Sequence, residues 1–139
     1  MIPDGPWVLD CSVTMAWCFE DERTQATDDL MGGAVPVLVP QIWPLEVGNV
    51  LMLAMRKGRI TTSKQKQFLG LLKLLPITVD VFGLDETLRH VMTLAGEHHL
   101  TTYDASYLEL AIRLGLPLAS LDDKLKATAA SAGVAEFRP

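Results

Sequence analysis

The stretch WVLDCSVTMAWCF, residues 7–19, joins a short apolar run to an acid and then to a helix-like pattern. The run WVLD (7–10) is apolar up to its last residue, which is typical of a buried strand. SVTMAWCF (12–19) follows too closely for a long loop, so we predict a strand-to-helix turn just after Asp10. A strand followed by a helix is the unit from which parallel sheets are built.

The same alternation continues along the chain. Further strands are predicted at 36–40, 77–82 and 117–122, and residues 134–137 can add an edge strand. Helices are predicted at 23–32, 42–58, 62–74, 84–98, 105–115 and 123–133. Short strands that alternate with helices indicate βα units and a mainly parallel sheet. We therefore predict a single domain over residues 1–139, an α/β fold with three α/β/α layers.

Length and composition narrow the class of protein. A chain of 139 residues fits one domain, and 49% hydrophobic with 21% charged residues is typical of globular proteins. No run reaches the roughly 20 apolar residues of a membrane span, and the first ten residues lack the features of a secretion signal. Cys11 and Cys18 form no CxxC pair, so we expect reduced thiols in a cytoplasmic protein.

Charge is unevenly distributed. The net charge of −5 argues against nucleic-acid binding as an average, yet residues 47–79 contain no Asp or Glu and hold half of the 12 basic residues. Arg56, Lys57 and Arg59 in this region are candidates for contacts with RNA phosphates. The alternative is a solvated helix end whose cations interact favourably with the helix dipole.

Three acids occur where a ligand site is expected in an open α/β sheet, beyond the carboxyl ends of strands. Asp10 and Asp122 end predicted strands, and Asp104 immediately precedes a predicted helix. Each also has a structural explanation, since Asp104 and Asp122 suit helix N-caps and Asp10 can simply end a strand. The pattern alone leaves both explanations open.

Glu46 is a fourth acid, and a cap does not explain it because it lies inside the apolar helix 42–58. Its neighbours three, four and seven positions on are Asn49, Val50 and Leu53, so we predict that its helix face points inward. Clustered carboxylates become protonated unless a cation neutralises them, and oxygen ligands suit Mg²⁺ or Mn²⁺. Such a site binds phosphate oxygens and activates a water molecule.

Three ordered segments resemble PIN-domain ribonucleases, specifically VapC-type toxins of bacterial toxin–antitoxin pairs. They are VLDCSVTMAWCFEDE (8–22), PLEVGNVLMLAMRKGRIT (44–61) and LTTYDASYLELAIRLGLPLASLDDKL (100–125). The resemblance implies four catalytic acids: Asp10, Glu46, Asp104 and Asp122. We expect Asp10, Asp104 and Asp122 to hold one or two metal ions, directly or through water, and Glu46 to orient a bound water or to complete the shell of a second ion. The resemblance also implies three side chains that position these carboxylates: Ser12, Asn49 and Ser120.

Two positions depart from the family pattern or leave it ambiguous. Ser120 stands where the family often has threonine, a mild change because either hydroxyl can hold a carboxylate. In the family's Asp-x-x-Leu pattern Leu125 selects Asp122, although the neighbouring Asp123 could share its role. The resemblance further implies cleavage within RNA chains that depends on Mg²⁺ or Mn²⁺, a cognate antitoxin as partner, and a homodimer.

Two other functions stay open at this level. One is a phosphatase with Asp10 as nucleophile, but its usual second acid, two residues later, is replaced by Ser12. The other is a non-enzymatic, receiver-like switch, for which VPQIW (39–43) lacks the expected strand-end aspartate. A trapped phosphoryl-aspartate would favour the phosphatase over hydrolysis by a metal-activated water.

Overall fold

Four short apolar segments form the central sheet of the computed structural model, which describes residues 4–32 and 35–137. All pairings between neighbouring strands are parallel. The strands are β1 (Trp7–Leu9), β2 (Val37–Pro40), β3 (Ile77–Asp80) and β4 (Leu118–Ala119). The predicted parallel α/β sandwich is thus confirmed. The predicted edge strand is reduced to one parallel bridge between Glu136 and Leu118.

Helices cover the sheet and connect its strands. They are α1 (Cys11–Cys18), α2 (Gln25–Met31), α3 (Trp43–Arg56), α4 (Thr62–Leu74), α5 (Leu84–Glu86), α6 (Met92–His98), α7 (Thr102–Leu114) and α8 (Asp123–Ser131). A π-helical turn at Thr87–Val91 divides the predicted helix 84–98. None of the helices in the described ranges is long and apolar enough to cross a membrane.

The start of α7 differs from the prediction. The helix begins three residues early because Thr101, not Asp104, is its N-cap: the Thr101 hydroxyl accepts a hydrogen bond from the Asp104 N–H at 3.1 Å. The capping explanation for Asp104 is therefore wrong. The Asp104 carboxylate, in the first turn of α7, is therefore available to interact with other groups.

The order of the strands is β3-β2-β1-β4. The chain moves outward from β1 to β3 and then returns to the opposite side of β1, so its direction reverses between β1 and β4. Such a reversal opens a crevice beyond the carboxyl ends of the strands, where ligands of open α/β proteins bind. We call this side of the sheet the carboxyl edge; it comprises residues 10–12, 41–46, 81–84, 102–104 and 120–123.

Helix α3 buries one stripe of its surface, formed by Trp43, Val47, Leu51 and Ala54. Burying a large apolar side chain of this kind contributes about 1.5–3 kcal/mol. Asn49 and Leu53 are exposed and Val50 is only partly buried, so the prediction that the Glu46 face points inward is wrong. Glu46 lies beside the buried stripe and is half-buried, with its carboxylate at the carboxyl edge.

Candidate active site

Asp10 is the most enclosed of the four candidate acids. It follows β1 directly, and only 5% of its surface is exposed. Two hydroxyls donate to the same carboxylate oxygen, Oδ2: Ser12 Oγ at 2.5 Å and Ser120 Oγ at 2.7 Å. The predicted positioning serines therefore do contact a predicted acid, from the chain segments that follow β1 and β4.

Each serine also accepts a backbone hydrogen bond. The Leu121 N–H donates to Ser12 Oγ at 2.9 Å, and the Asp122 N–H donates to Ser120 Oγ at 3.0 Å. Because the acceptor side of each hydroxyl is used in this way, its single hydrogen is directed at Asp10. The two relays fix the Asp10 rotamer and join the β1–α1 and β4–α8 turns across the point where the chain reverses.

Glu46 is held by a residue that the sequence did not single out. The Tyr107 hydroxyl donates to Glu46 Oε1 at 2.6 Å, and Tyr107 is fully buried within α7. Burial, followed by the bond to Glu46, raises the pKa of Tyr107, so the hydroxyl remains a donor. The available signal was its position three residues after Asp104, which puts both side chains on one face of α7.

Asp122 has two roles in the geometry. Its Oδ1 accepts the Leu125 N–H at 2.8 Å, so the prediction that it caps a helix is confirmed. It also lies near enough to Asp10 and Asp104 to raise the pKa of both carboxyls. Asp123, by contrast, has a fully exposed side chain (100%) whose carboxylate lies 4.0 Å from Lys126. The geometry thus favours Asp122 over Asp123 as the member of the cluster.

The pKa values of Asp10, Glu46 and Asp104 are all raised, first of all by burial. Their mutual repulsion adds to this: Asp10 and Asp104 raise the pKa of Glu46, and Asp10 raises that of Asp104. Lys124 acts in the opposite direction on Asp104. The structure has therefore brought acids from four separate chain segments into one electrostatic cluster.

This acid cluster, Asp10, Glu46, Asp104 and Asp122, has no ion pair with any Lys or Arg in the described residues. Its donors are all carboxylate oxygens, the type that Mg²⁺ and Mn²⁺ prefer. No group of three or more Asp, Glu, His or Cys side chains in residues 4–32 and 35–137 is placed so that it could hold a metal ion. The donor set fits Mg²⁺ nonetheless, because Mg²⁺ uses one or two protein carboxylates and keeps several waters.

The remaining predicted site residues have no hydrogen bond or ion pair with the acid cluster among the described residues. Asn49 is on the exposed side of α3, and none of the hydrogen bonds between described side chains joins it to an acid. Arg56 and Lys57 are exposed at the far end of α3, about 15 Å from Glu46 for ten residues of helix. Arg59 is engaged elsewhere: it pairs with Asp21 at 2.9 Å and its guanidinium lies over the ring of Phe19.

Known proteins share this architecture and sequence pattern. A family model described as PIN domain matches residues 7–131, which include the whole acid cluster. Ribonuclease VapC3 of Pyrobaculum aerophilum is 28% identical over 118 residues, which cover 85% of this chain and 90% of the relative. The crystal structure of PAE2754 from Pyrobaculum aerophilum superimposes with a TM-score of 0.65 at 25% identity, covering 88% of this chain and 84% of the other.

Proposed function

The chain belongs to the PIN domain family, and we propose that it is a VapC-type toxin nuclease that cuts RNA internally with the help of Mg²⁺ or Mn²⁺. The observation that carries the proposal is the acid cluster at the carboxyl edge, assembled from four chain segments without a basic partner among the described residues. The ribonuclease named among its relatives supports RNA as the substrate.

Asp10, Asp104 and Asp122 would hold the metal, directly or through water, and Glu46 would accept a hydrogen bond from the attacking water. The bound ion supplies charge neutralisation at the phosphate and makes water a better nucleophile. Ser12 and Ser120 keep Asp10 Oδ2 in place through their two hydrogen bonds. Tyr107 does the same for Glu46, so both carboxylates are oriented before substrate arrives.

Asp10 serves in this proposal as a ligand and not as a nucleophile. Ser12 occupies the place where an aspartate-based phosphatase has its general acid, and its hydroxyl is already donated to Asp10. A phosphoryl-aspartate trapped on Asp10 would revive the phosphatase alternative. Asn49, three residues after Glu46 on α3, would help to fix the rotamer of the Glu46 carboxylate.

The basic end of α3 is the proposed contact for more distant RNA phosphates. Arg56 and Lys57 are exposed there, whereas the ion pairs of Arg59 with Asp21 and Glu22 compete with RNA for its guanidinium. Removing a side chain that neutralises one phosphate should reduce the salt dependence of RNA binding by about one unit of slope. An Arg56→Gln, Lys57→Gln protein with an unchanged slope would contradict this role.

We further propose a cognate antitoxin and a second copy of the chain as partners, in a cytoplasmic setting. The decisive experiment uses purified, antitoxin-free protein with total cellular RNA, with and without Mg²⁺, followed by mapping of the cut ends. Discrete breaks that vanish on chelation are expected. Breaks that persist in the Asp104→Asn protein would come from another nuclease, and an absence of breaks would refute the proposal.

A further inference from the structure

A groove of about 440 Å³ opens at the carboxyl edge, and none of the four acids lines it. It runs between the start of α3, the start of α7 and the segment after β3. Three of its walls are large exposed side chains: Leu45 (70% exposed), Leu84 (78%) and Tyr103 (59%). A volume of about 300–1,000 Å³ is usual for small-molecule sites, so the groove can hold one compact group.

Two of these walls are covalent neighbours of the acids. Leu45 precedes Glu46 on α3, and Tyr103 precedes Asp104 on α7. The Tyr107–Glu46 hydrogen bond ties the same two helices together at 2.6 Å. The groove and the acid cluster therefore share the first turns of α3 and α7, although their side chains point in different directions.

The lining of the groove selects a neutral occupant. None of the described residues that line it is Asp, Glu, His, Lys or Arg, so a phosphate would find no counter-charge there. Polar groups are nevertheless present, in Gln41, Thr102 and Ser106. The Gln41 amide donates to the Phe82 carbonyl at 2.7 Å, which links two walls and leaves its own carbonyl oxygen to accept.

We propose that this groove binds an unpaired nucleobase next to the scissile phosphodiester, stacked on the ring of Tyr103. The inference rests on the proposed function and deepens it by naming a residue that determines specificity. A nucleobase is flat, neutral and rimmed with hydrogen-bonding groups, and base–aromatic stacking is the common way to hold a single strand. An apolar side chain of a protein partner fits less well, because it would bury the carbonyl oxygen of the Gln41 side chain, for which the described residues supply no donor.

The test compares the wild type with Tyr103→Phe, Tyr103→Ala and Leu74→Ala, the last being an exposed leucine outside the groove. The cut ends are first mapped in total RNA with Mg²⁺. Short single-stranded oligonucleotides that span one cut are then prepared, each with an abasic residue at a different position beside the cut. Their kcat/KM values are compared with that of the intact oligonucleotide. We expect Tyr103→Ala to lower kcat/KM about tenfold or more, the scale of one base–aromatic stack. Tyr103→Phe keeps the ring and should recover most of that loss, and Leu74→Ala should stay near wild type.

One abasic position should cost the wild type a similar factor and cost Tyr103→Ala little, because the two changes remove the same interaction. Additive losses in kcat/KM from the two changes would overturn the proposal and leave the nuclease function standing. So would a Tyr103→Ala protein with the kcat/KM and base preference of the wild type, which is the result expected if the groove binds a protein side chain. If the wild type cuts no RNA, the proposed function fails. Base binding by the groove is then tested by measuring the affinity for labelled single-stranded RNA by fluorescence anisotropy. An affinity of Tyr103→Ala equal to that of the wild type would overturn the proposal.

Discussion

Helix α7 carries two enclosed acids that have opposite electrostatic surroundings. Asp104, in its first turn, faces Asp10 and Asp122, which raise its pKa further. Glu109, five residues on, accepts a hydrogen bond from Arg113 Nε at 2.9 Å, and Arg113 also pairs with Asp80 at the end of β3. Among the described residues, Arg113 forms an ion pair with Glu109, whereas Asp104 forms no ion pair and only Lys124 lowers its pKa.

The difference separates acids that serve the fold from acids that serve a ligand. Burial raises the pKa of Glu109 too, but Arg113 opposes that shift from within the same helix. In the acid cluster only Lys124, among the described residues, opposes the shift of Asp104, and further acids reinforce it. Unneutralised acids of this kind cost stability, and proteins retain them where a cation or a reaction needs them.

The largest expected effect is on RNA cleavage, when a carboxylate is replaced by an amide in the acid cluster and, for comparison, beside Glu109. We expect Asp104→Asn to reduce RNA cleavage by at least about 10²–10³-fold, the loss seen when one preorganised electrostatic group is removed from a site. Asp80→Asn, an equivalent change in the neutralised cluster formed by Asp80, Glu109 and Arg113, should keep cleavage within a few-fold of wild type. Initial cleavage rates in Mg²⁺ measure both. Equal losses in the two proteins would mean that Asp104 acts through stability.

Tyr107 tests whether the acid cluster depends on preorganisation. Tyr107→Phe removes the hydroxyl that holds Glu46 and leaves the buried ring in place. We expect cleavage to fall about 10–100-fold, the usual cost of removing a group that orients a ligand. Tyr103→Phe removes the other tyrosine hydroxyl of the chain and is the matched control. Unchanged cleavage by Tyr107→Phe would show that Glu46 needs no such support.

The neutralised cluster should respond in stability and not in cleavage. Arg113→Met leaves Glu109 buried beside Asp80 without its counter-charge. Removing one partner of a fully buried pair costs about 3–5 kcal/mol. Because the Arg113 side chain is 37% exposed, solvent screens the loss, and we expect about 2 kcal/mol. Urea denaturation measures the change. A loss under about 0.5 kcal/mol, as for an ordinary surface substitution, would show that the pair is not structural.

The sequence predicted the fold well because the fold depends on local signals. Apolar runs bounded by prolines or acids marked the strands, and α4 was predicted at its observed bounds, 62–74. Errors arose where two local signals compete. Thr101 and Asp104 are both good N-caps within four residues, and the pattern does not say which one the helix uses. The π turn within 84–98 likewise leaves no mark in hydrophobic periodicity.

The candidate site was predictable in part. Asp10 and Asp122 were visible as charges at predicted strand ends, and Asp104 and Glu46 as acids at or within predicted helices, but the neighbours of all four are set by long-range packing. The bond between Ser120 and Asp10 spans 110 positions and the one between Tyr107 and Glu46 spans 61. Arg59 shows the same limit: the sequence marks it as a candidate RNA contact but does not reveal that folding places Asp21 and Glu22 beside it. Local pattern identifies chemical types, and tertiary structure decides which of them meet.

The smallest expected effect is a pH dependence in the neutralised cluster. Burial, followed by the opposing effect of Arg113, leaves the pKa of Glu109 above its ordinary value of 4.5; Asp80 raises it further and His90 lowers it. The folded protein thus binds this proton more tightly than the unfolded chain. Its contribution to the free energy of unfolding is therefore largest at low pH and decreases as pH rises through the folded-state pKa.

Glu109→Gln isolates this contribution, because glutamine cannot titrate yet can still accept the hydrogen bond from Arg113. Urea denaturation of both proteins in EDTA, from about pH 4 to about pH 8, gives the difference in their free energies of unfolding, from which most other titrations cancel. We expect the wild type to lose stability relative to Glu109→Gln as pH rises. A difference in free energy of unfolding that stays constant with pH, or that changes in the opposite direction, would mean that Arg113 outweighs burial in setting the pKa of Glu109. The neutralised cluster would then differ from the acid cluster even more than the direction of that pKa shift indicates.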